Sequence, residues 1–165
     1  DFLFISKTLS AGYGALGAVL TNNSHYEKIK KFGRFNHSTT MQGHSLSVAA
    51  SLEVQNIVNK KMFLQKVASK GKYCRKVIYE ELKNNRLLRD VRGRGLRFSV
   101  EHKSKNNDLF SKKLFSEMIK KGIFVDSKFH RTCVTPPLII TNSEINFFPD
   151  NFIKAFKKIS SNNEF

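Results

Sequence analysis

An apolar run, Phe2-Leu3-Phe4-Ile5, ends at Lys7 and gives way almost at once to Ser-Ala-Gly-Tyr-Gly-Ala-Leu-Gly over residues 10–17. Few architectures accept that order. Bulky apolar residues in so short a run predict a buried strand over residues 2–6. The glycine-rich stretch predicts a loop in which backbone approaches something closely. A lysine at the junction is placed to lose water and present a nucleophilic amine, as a Schiff base with an aldehyde or ketone requires. A lysine snorkelling from a strand end fits the same position when it is read alone.

The rest of the chain alternates between short apolar runs and amphipathic stretches. Residues 18–20 read as a second buried strand ending at the turn Asn22-Asn23, and residues 26–31 as a short helix closed by Gly33. Residues 35–45 lack an apolar period and are rich in hydroxyl, amide and imidazole groups, a candidate ligand surface. The stripe Leu46, Ala49, Ala50, Val54, Ile57 and Val58 predicts a helix over residues 46–59. A longer helix follows over 63–85, with Gly71 inside it as a point of close packing. Residues 91–96 read as a turn leading into a strand that buries Leu96, Phe98 and Val100. A helix over 109–121 stopped by Gly122, short strands at 123–125 and 138–140, and a capping box at residues 141–144 complete the pattern. Pro149 is expected to interrupt the final helix.

Charge is spread unevenly. The net +16 comes from 29 basic and 13 acidic residues, of which residues 1–59 hold five and three, leaving 24 and ten for residues 60–165. A basic half attracts polyanions. Its lysines nevertheless fall on solvated helix faces, and no aromatic string of the base-stacking kind accompanies them, so no specific nucleic-acid partner is expected. No run approaches the ~18 consecutive apolar residues of a membrane helix. Cys74 and Cys133 stand 59 positions apart without a second pair. That spacing argues against a disulfide framework or a cysteine zinc site and suits a reducing, cytoplasmic setting. The five histidines have no metal-ligand spacing, so no metal is expected. The chain opens at Asp1 with no signal-type segment ahead of the apolar run, and is expected to be cut from a longer polypeptide.

Asp1-Phe-Leu-Phe-Ile-Ser-Lys-Thr-Leu-Ser-Ala-Gly-Tyr-Gly-Ala-Leu-Gly-Ala18 resembles the lysine segment of class III (omega-type) aminotransferases, pyridoxal-phosphate enzymes of fold type I. It departs at Thr8, where that family usually has glycine, and at Gly14-Ala15, where a proline is usual. His37-Ser-Thr-Thr-Met-Gln-Gly-His-Ser-Leu46 is similar to the family's threonine segment ahead of its alanine-rich helix, with Ser45 in place of the usual proline. Asp90-Val-Arg-Gly-Arg-Gly-Leu96 resembles the entry to its small C-terminal domain, a structural segment in which Arg92 and Arg94 lie at the surface or pair locally. Arg131-Thr-Cys-Val-Thr-Pro-Pro-Leu138 is similar to its late arginine followed by Pro-Pro-Leu, over an interval about five residues shorter than usual.

The resemblance implies an α/β fold: the C-terminal part of a fold-type I transaminase, with residues 1–59 ending the large cofactor domain and residues 60–165 forming the small α+β domain. It implies that Lys7 is the Schiff-base and proton-transferring lysine for pyridoxal 5'-phosphate. Thr40, or Thr39 if the register slips by one, would bind the cofactor phosphate across a homodimer, and Arg131 would clamp a substrate carboxylate. The reaction implied is amino transfer between an amine or amino acid and a keto acid. This chain alone is expected to be inactive, because the family's phosphate loop, ring-stacking aromatic and pyridinium-pairing aspartate lie upstream of the lysine strand. The alternative is a non-catalytic basic interaction module that keeps the small-domain fold and binds polyanions in a salt-sensitive way.

Overall fold

The computed structural model describes residues 1–33, 35–162 and 165. The chain is mixed α/β and divides into two compact units, Asp1–Leu64 and Gln65–Phe165.

In the first unit, β1 (Phe2–Ile5) pairs antiparallel with β2 (Ala18–Thr21), Phe2 opposite Thr21 and Ile5 opposite Ala18. Between them lie a single 3₁₀ turn, Lys7–Leu9, and the glycine-rich loop. Both strands form where residue type predicts, but neither is buried. Phe2, Leu3 and Phe4 are at least half exposed, because a two-stranded ladder leaves its faces largely open. Helix α1 (Asn23–Lys31) starts earlier than expected, since the Asn22 side chain accepts the His25 backbone N–H at 2.9 Å and caps it. Helix α2 (Ser45–Val58) carries a second correction. Its buried residues are Ser47 and Ser51, whereas Leu46, Leu52 and Ile57 of its apolar surface are exposed.

The second unit is built on a four-stranded antiparallel sheet of β3 (Leu88–Arg94), β4 (Arg97–His102), β5 (Asp126–Lys128) and β6 (Arg131–Val134), in the order β3-β4-β6-β5. Helix α3 (Lys61–Leu82) leads into it, burying Gly71, Cys74, Ile78 and Leu82. Gly71 packs tightly against the β-hairpin turn that follows, for a Cβ there would stand 1.7 Å from the Gly95 carbonyl oxygen. Residues 91–96, expected as a turn, are mostly strand. Strand β3 runs from Leu88 to Arg94 and β4 from Arg97 to His102, so that only Gly95 and Leu96 make the hairpin turn. The predicted alternation holds, with Leu96, Phe98 and Val100 all buried. Arg92 pairs with Glu101 and Asp90, the local pairing expected of it.

Helix α4 (Asn107–Ile119) ends at the left-handed Gly122. Strands β5 (Asp126–Lys128) and β6 (Arg131–Val134) replace those expected at 123–125 and 138–140. Pro136 and Pro137 have no N–H to give to a ladder, and the Ile140 N–H closes a turn on the Pro137 carbonyl at 3.0 Å. Helix α5 (Asn142–Ser160) begins at the predicted capping box, Thr141 and Glu144, but runs unbroken through Pro149. Proline removes the N–H that would reach the Ile145 carbonyl. The Cys74 thiol takes its place, with Sγ 3.6 Å from that oxygen, and burial pushes this thiol up to about 11. Phenylalanines close the core edge to face: the Phe110 ring centre lies 5.1 Å from that of Phe156 and 5.4 Å from that of Phe165.

Candidate functional site

Lys7 stands one residue beyond the predicted strand, at the first position of the 3₁₀ turn. Its backbone is left-handed at φ 52°, as is that of Ala11 at φ 50°, a conformation costing a residue with a side chain about 1–2 kcal/mol. Strain of that size persists only where neighbouring contacts over-determine the backbone. Lys7 is exposed, so the described residues do not supply the burial expected at a strand end, and among them its amine has no hydrogen-bond or ion-pair partner.

Helix α2 holds this turn. Ser51 Oγ donates to the Leu9 carbonyl at 2.9 Å and Gln55 Nε2 donates to the same oxygen at 3.1 Å. Each such bond stabilises the turn by about 0.5–1.5 kcal/mol. Ser10, almost fully buried, donates from Oγ to the Gly14 carbonyl and closes the loop on itself. Gly14 then rests directly on α2, for a Cβ there would lie 2.7 Å from Ser47 Oγ and 2.9 Å from Ser47 Cα. Glycine is required at this contact because helix backbone fills the space a side chain would need. Reading the apolar stripe of α2 misses Ser47, Ser51 and Gln55. Their signal is a run of small or amide residues at i, i+4 and i+8, which lie along one helix face.

Thr40 lies in the irregular segment leading to the same helix. It is exposed, as is Thr39, and the Thr39 carbonyl accepts the Gln42 N–H at 2.9 Å to form a turn. Gly43 follows at φ 64°, and His44 begins α2 without a side-chain cap on its first N–H groups. Nδ1 of His44 is buried without a partner among the described residues. Among the described residues neither the start of α2 nor this nitrogen has a side-chain partner, and a helix N-terminus favours negative charge.

Arg131 belongs to the second unit. It opens β6 opposite Glu101 of β4 and Lys128 of β5, with its side chain exposed and, among the described residues, unpaired. A cavity of about 750 Å³ in that unit is walled largely by apolar residues including Phe98, Phe124, Val134 and Phe148. Arg131 is not among its lining residues. Among the described residues no group of three His, Cys, Asp or Glu side chains is placed to hold a metal ion. No helix among them is long and apolar enough to cross a membrane.

Comparison with known proteins gives these features a setting. The family model for aminotransferase class-III matches residues 1–156. Acetylornithine aminotransferase of Caldanaerobacter subterraneus subsp. tengcongensis is 29% identical over 147 residues, covering 88% of this chain and 35% of that protein. Ornithine aminotransferase of Plasmodium chabaudi chabaudi is 26% identical over 159 residues, covering 95% of this chain and 37% of its own. Among solved structures, Toxoplasma gondii ornithine aminotransferase, which shows partial occupancy of PLP at its active site, shares the fold at TM-score 0.86. That match covers 98% of this chain and 37% of the other, at 24% identity. This chain thus spans little more than a third of the length of these relatives.

Proposed function

This chain belongs to the class-III aminotransferases, and from that premise we propose that it supplies the catalytic lysine of a pyridoxal-phosphate-dependent amino transfer between an amine or amino acid and a keto acid. The observation carrying this reading is Lys7: an amine without a partner among the described residues, on a left-handed backbone position between a strand and a glycine-rich loop, in a turn that α2 fastens.

The donor set suits the cofactor. A primary amine free of hydrogen bonds and ion pairs can bond to an aldehyde carbon with loss of water. The Thr40 hydroxyl, the loop amides and the uncapped start of α2 offer the donors a phosphate requires. When bound, pyridoxal phosphate supplies the electron-withdrawing ring that makes a proton on the amine-bearing carbon of the donor removable. Lys7 then has two tasks. Its Nζ would hold the cofactor covalently and, when free of it, would accept and return the proton of the substrate carbon. Arg131 would serve as carboxylate clamp through its planar guanidinium.

Residues 1–59 would be the end of the large cofactor domain and residues 60–165 the small domain, while the compact units Asp1–Leu64 and Gln65–Phe165 divide five residues later. In this reading the working enzyme is a cytoplasmic homodimer in which Thr40 serves the partner subunit's cofactor. The 165 residues are insufficient alone, consistent with the exposed Lys7 and the uncovered faces of β1 and β2. Amino transfer measured in the holoenzyme containing this chain tests the reading. Lys7→Ala should abolish transfer, Thr40→Ala should weaken cofactor retention, and the isolated chain should transfer nothing. Undiminished transfer by Lys7→Ala, or activity of the isolated chain, would contradict it.

A further inference from the structure

Residues 6–11 form one hydrogen-bonded piece of backbone: the Leu9 N–H donates to the Ser6 carbonyl at 3.1 Å and the Ala11 N–H to the Thr8 carbonyl at 3.2 Å. Lys7 and Ala11, both left-handed, stand near its two ends. The Leu9 carbonyl is free of that internal pattern, and it is the atom on which Ser51 and Gln55 converge. These two donors are one helical turn apart on α2, so they reach the oxygen from the same face. Any tilt of the 3₁₀ turn about its axis would therefore stretch both bonds together.

The way α2 meets this segment points in the same direction. Apolar packing is non-directional and tolerates sliding, yet α2 leaves its leucines exposed and turns serine toward the loop. Ser51 is 6% exposed, and its one hydroxyl proton is committed to Leu9. Directional bonds in place of hydrocarbon fix where the turn sits and how it is rotated, which sets the direction in which the Lys7 side chain leaves the backbone. Resting on the reading of Lys7 given above, we infer that Ser51 and Gln55 are positioning residues of the reaction. They hold the Leu9 carbonyl so that Lys7 Nζ stays aligned with the carbon it must reach.

The test uses the holoenzyme containing this chain, with Ser51→Ala, Gln55→Met, their combination, and Ser51→Thr as the variant that keeps the hydroxyl. Three quantities are read: the pH midpoint of the visible absorption band of the bound cofactor, kcat against KM, and the peptide on which borohydride fixes the cofactor. In the combined variant the cofactor remains fixed on Lys7. The midpoint moves by about half a pH unit or more, and kcat falls about ten- to a hundredfold with KM nearly unchanged, as misaligned reacting atoms require. Ser51→Thr stays close to the parent. If the combined variant does not fold, each single substitution is read the same way and is expected to move both quantities in the same direction.

A variant that fixes the cofactor on Lys7 and keeps the parental midpoint and kcat overturns the positioning role while leaving the Lys7 reading intact. A cofactor fixed on another lysine, or an unchanged band in Lys7→Ala, removes both.

Discussion

Replacing Gly71 with alanine sets two physical effects against each other, and the structure decides the sign. In a helix interior alanine is favoured over glycine by about 1 kcal/mol, so helix propensity alone predicts a more stable protein. The new methyl group would lie 1.7 Å from the Gly95 oxygen, 2.2 Å from its carbonyl carbon and 3.0 Å from the Leu96 nitrogen, all of them backbone atoms. Carbon contacts settle near 3.5–4.0 Å, so the β3–β4 turn must retreat from α3 by roughly 2 Å. That retreat breaks the 2.7 Å bond from Arg75 Nη1 to the Gly95 carbonyl and loosens Leu96 and Phe98 in the core. Overpacking costs about 1–3 kcal/mol and the bond to a charged donor about 1.5–3 kcal/mol. After subtracting the propensity gain, Gly71→Ala should destabilise by roughly 1.5–5 kcal/mol, lowering Tm by about 3–20 °C for a chain of this size. Thermal unfolding followed by circular dichroism measures this, with the exposed Lys72→Ala on the same helix as control. A Gly71→Ala protein as stable as its parent, or more so, would refute the packing argument.

The Pro149 site makes a second prediction through a pair of substitutions. Cys74→Ala leaves the Ile145 carbonyl without its donor and should cost about 1–3 kcal/mol in urea unfolding. Pro149→Ala restores the missing N–H, so it should suppress part of that cost, and a double-mutant cycle showing no coupling would contradict the assignment. The third prediction concerns acid. Burial holds His102 down to about 4, with its ring nitrogens 3.2 Å from Asn107 Oδ1 and 3.0 Å from Ser111 Oγ. The unfolded chain therefore binds the proton first as pH falls. Stability should be intact above the ordinary value of 6.5 and decline by about 1.4 kcal/mol per pH unit toward about 4. His102→Gln should remove that slope, and a variant retaining it would show that another group is responsible. A fourth follows from the capping box: Thr141→Ala should cost about 1 kcal/mol, measured by urea unfolding, and no change would mean that the first turn of α5 is held by its packing.

What can be read from the amino acids depends on whether the deciding contact is local. The alternation of Leu96, Phe98 and Val100 and the pair Thr141 and Glu144 are local signals, and the structure follows both. Gly71 is legible as a close approach, although its partner, Gly95, is not. The run 138–140 has strand-like residues, yet two prolines just before it deny a ladder its donors, and the pairing passes to residues 131–134. Pro149 misleads for the opposite reason, since its lost hydrogen bond is replaced by a thiol 75 residues away in sequence. At the candidate site, the strand–lysine–glycine order marks Lys7. The residues that fasten its turn stay hidden, because α2 buries serines that an apolar stripe does not count. Exposure of β1 and β2 likewise depends on what covers them, which no property of their own residues encodes.

Whether Lys7 carries the cofactor is tested most directly by reducing the pyridoxal-phosphate holoenzyme containing this chain with borohydride and mapping the labelled peptide by mass spectrometry. A single stoichiometric label on Lys7 is expected, with no such label in Lys7→Ala. Stoichiometric label on any other lysine, with Lys7 unmodified, would contradict it.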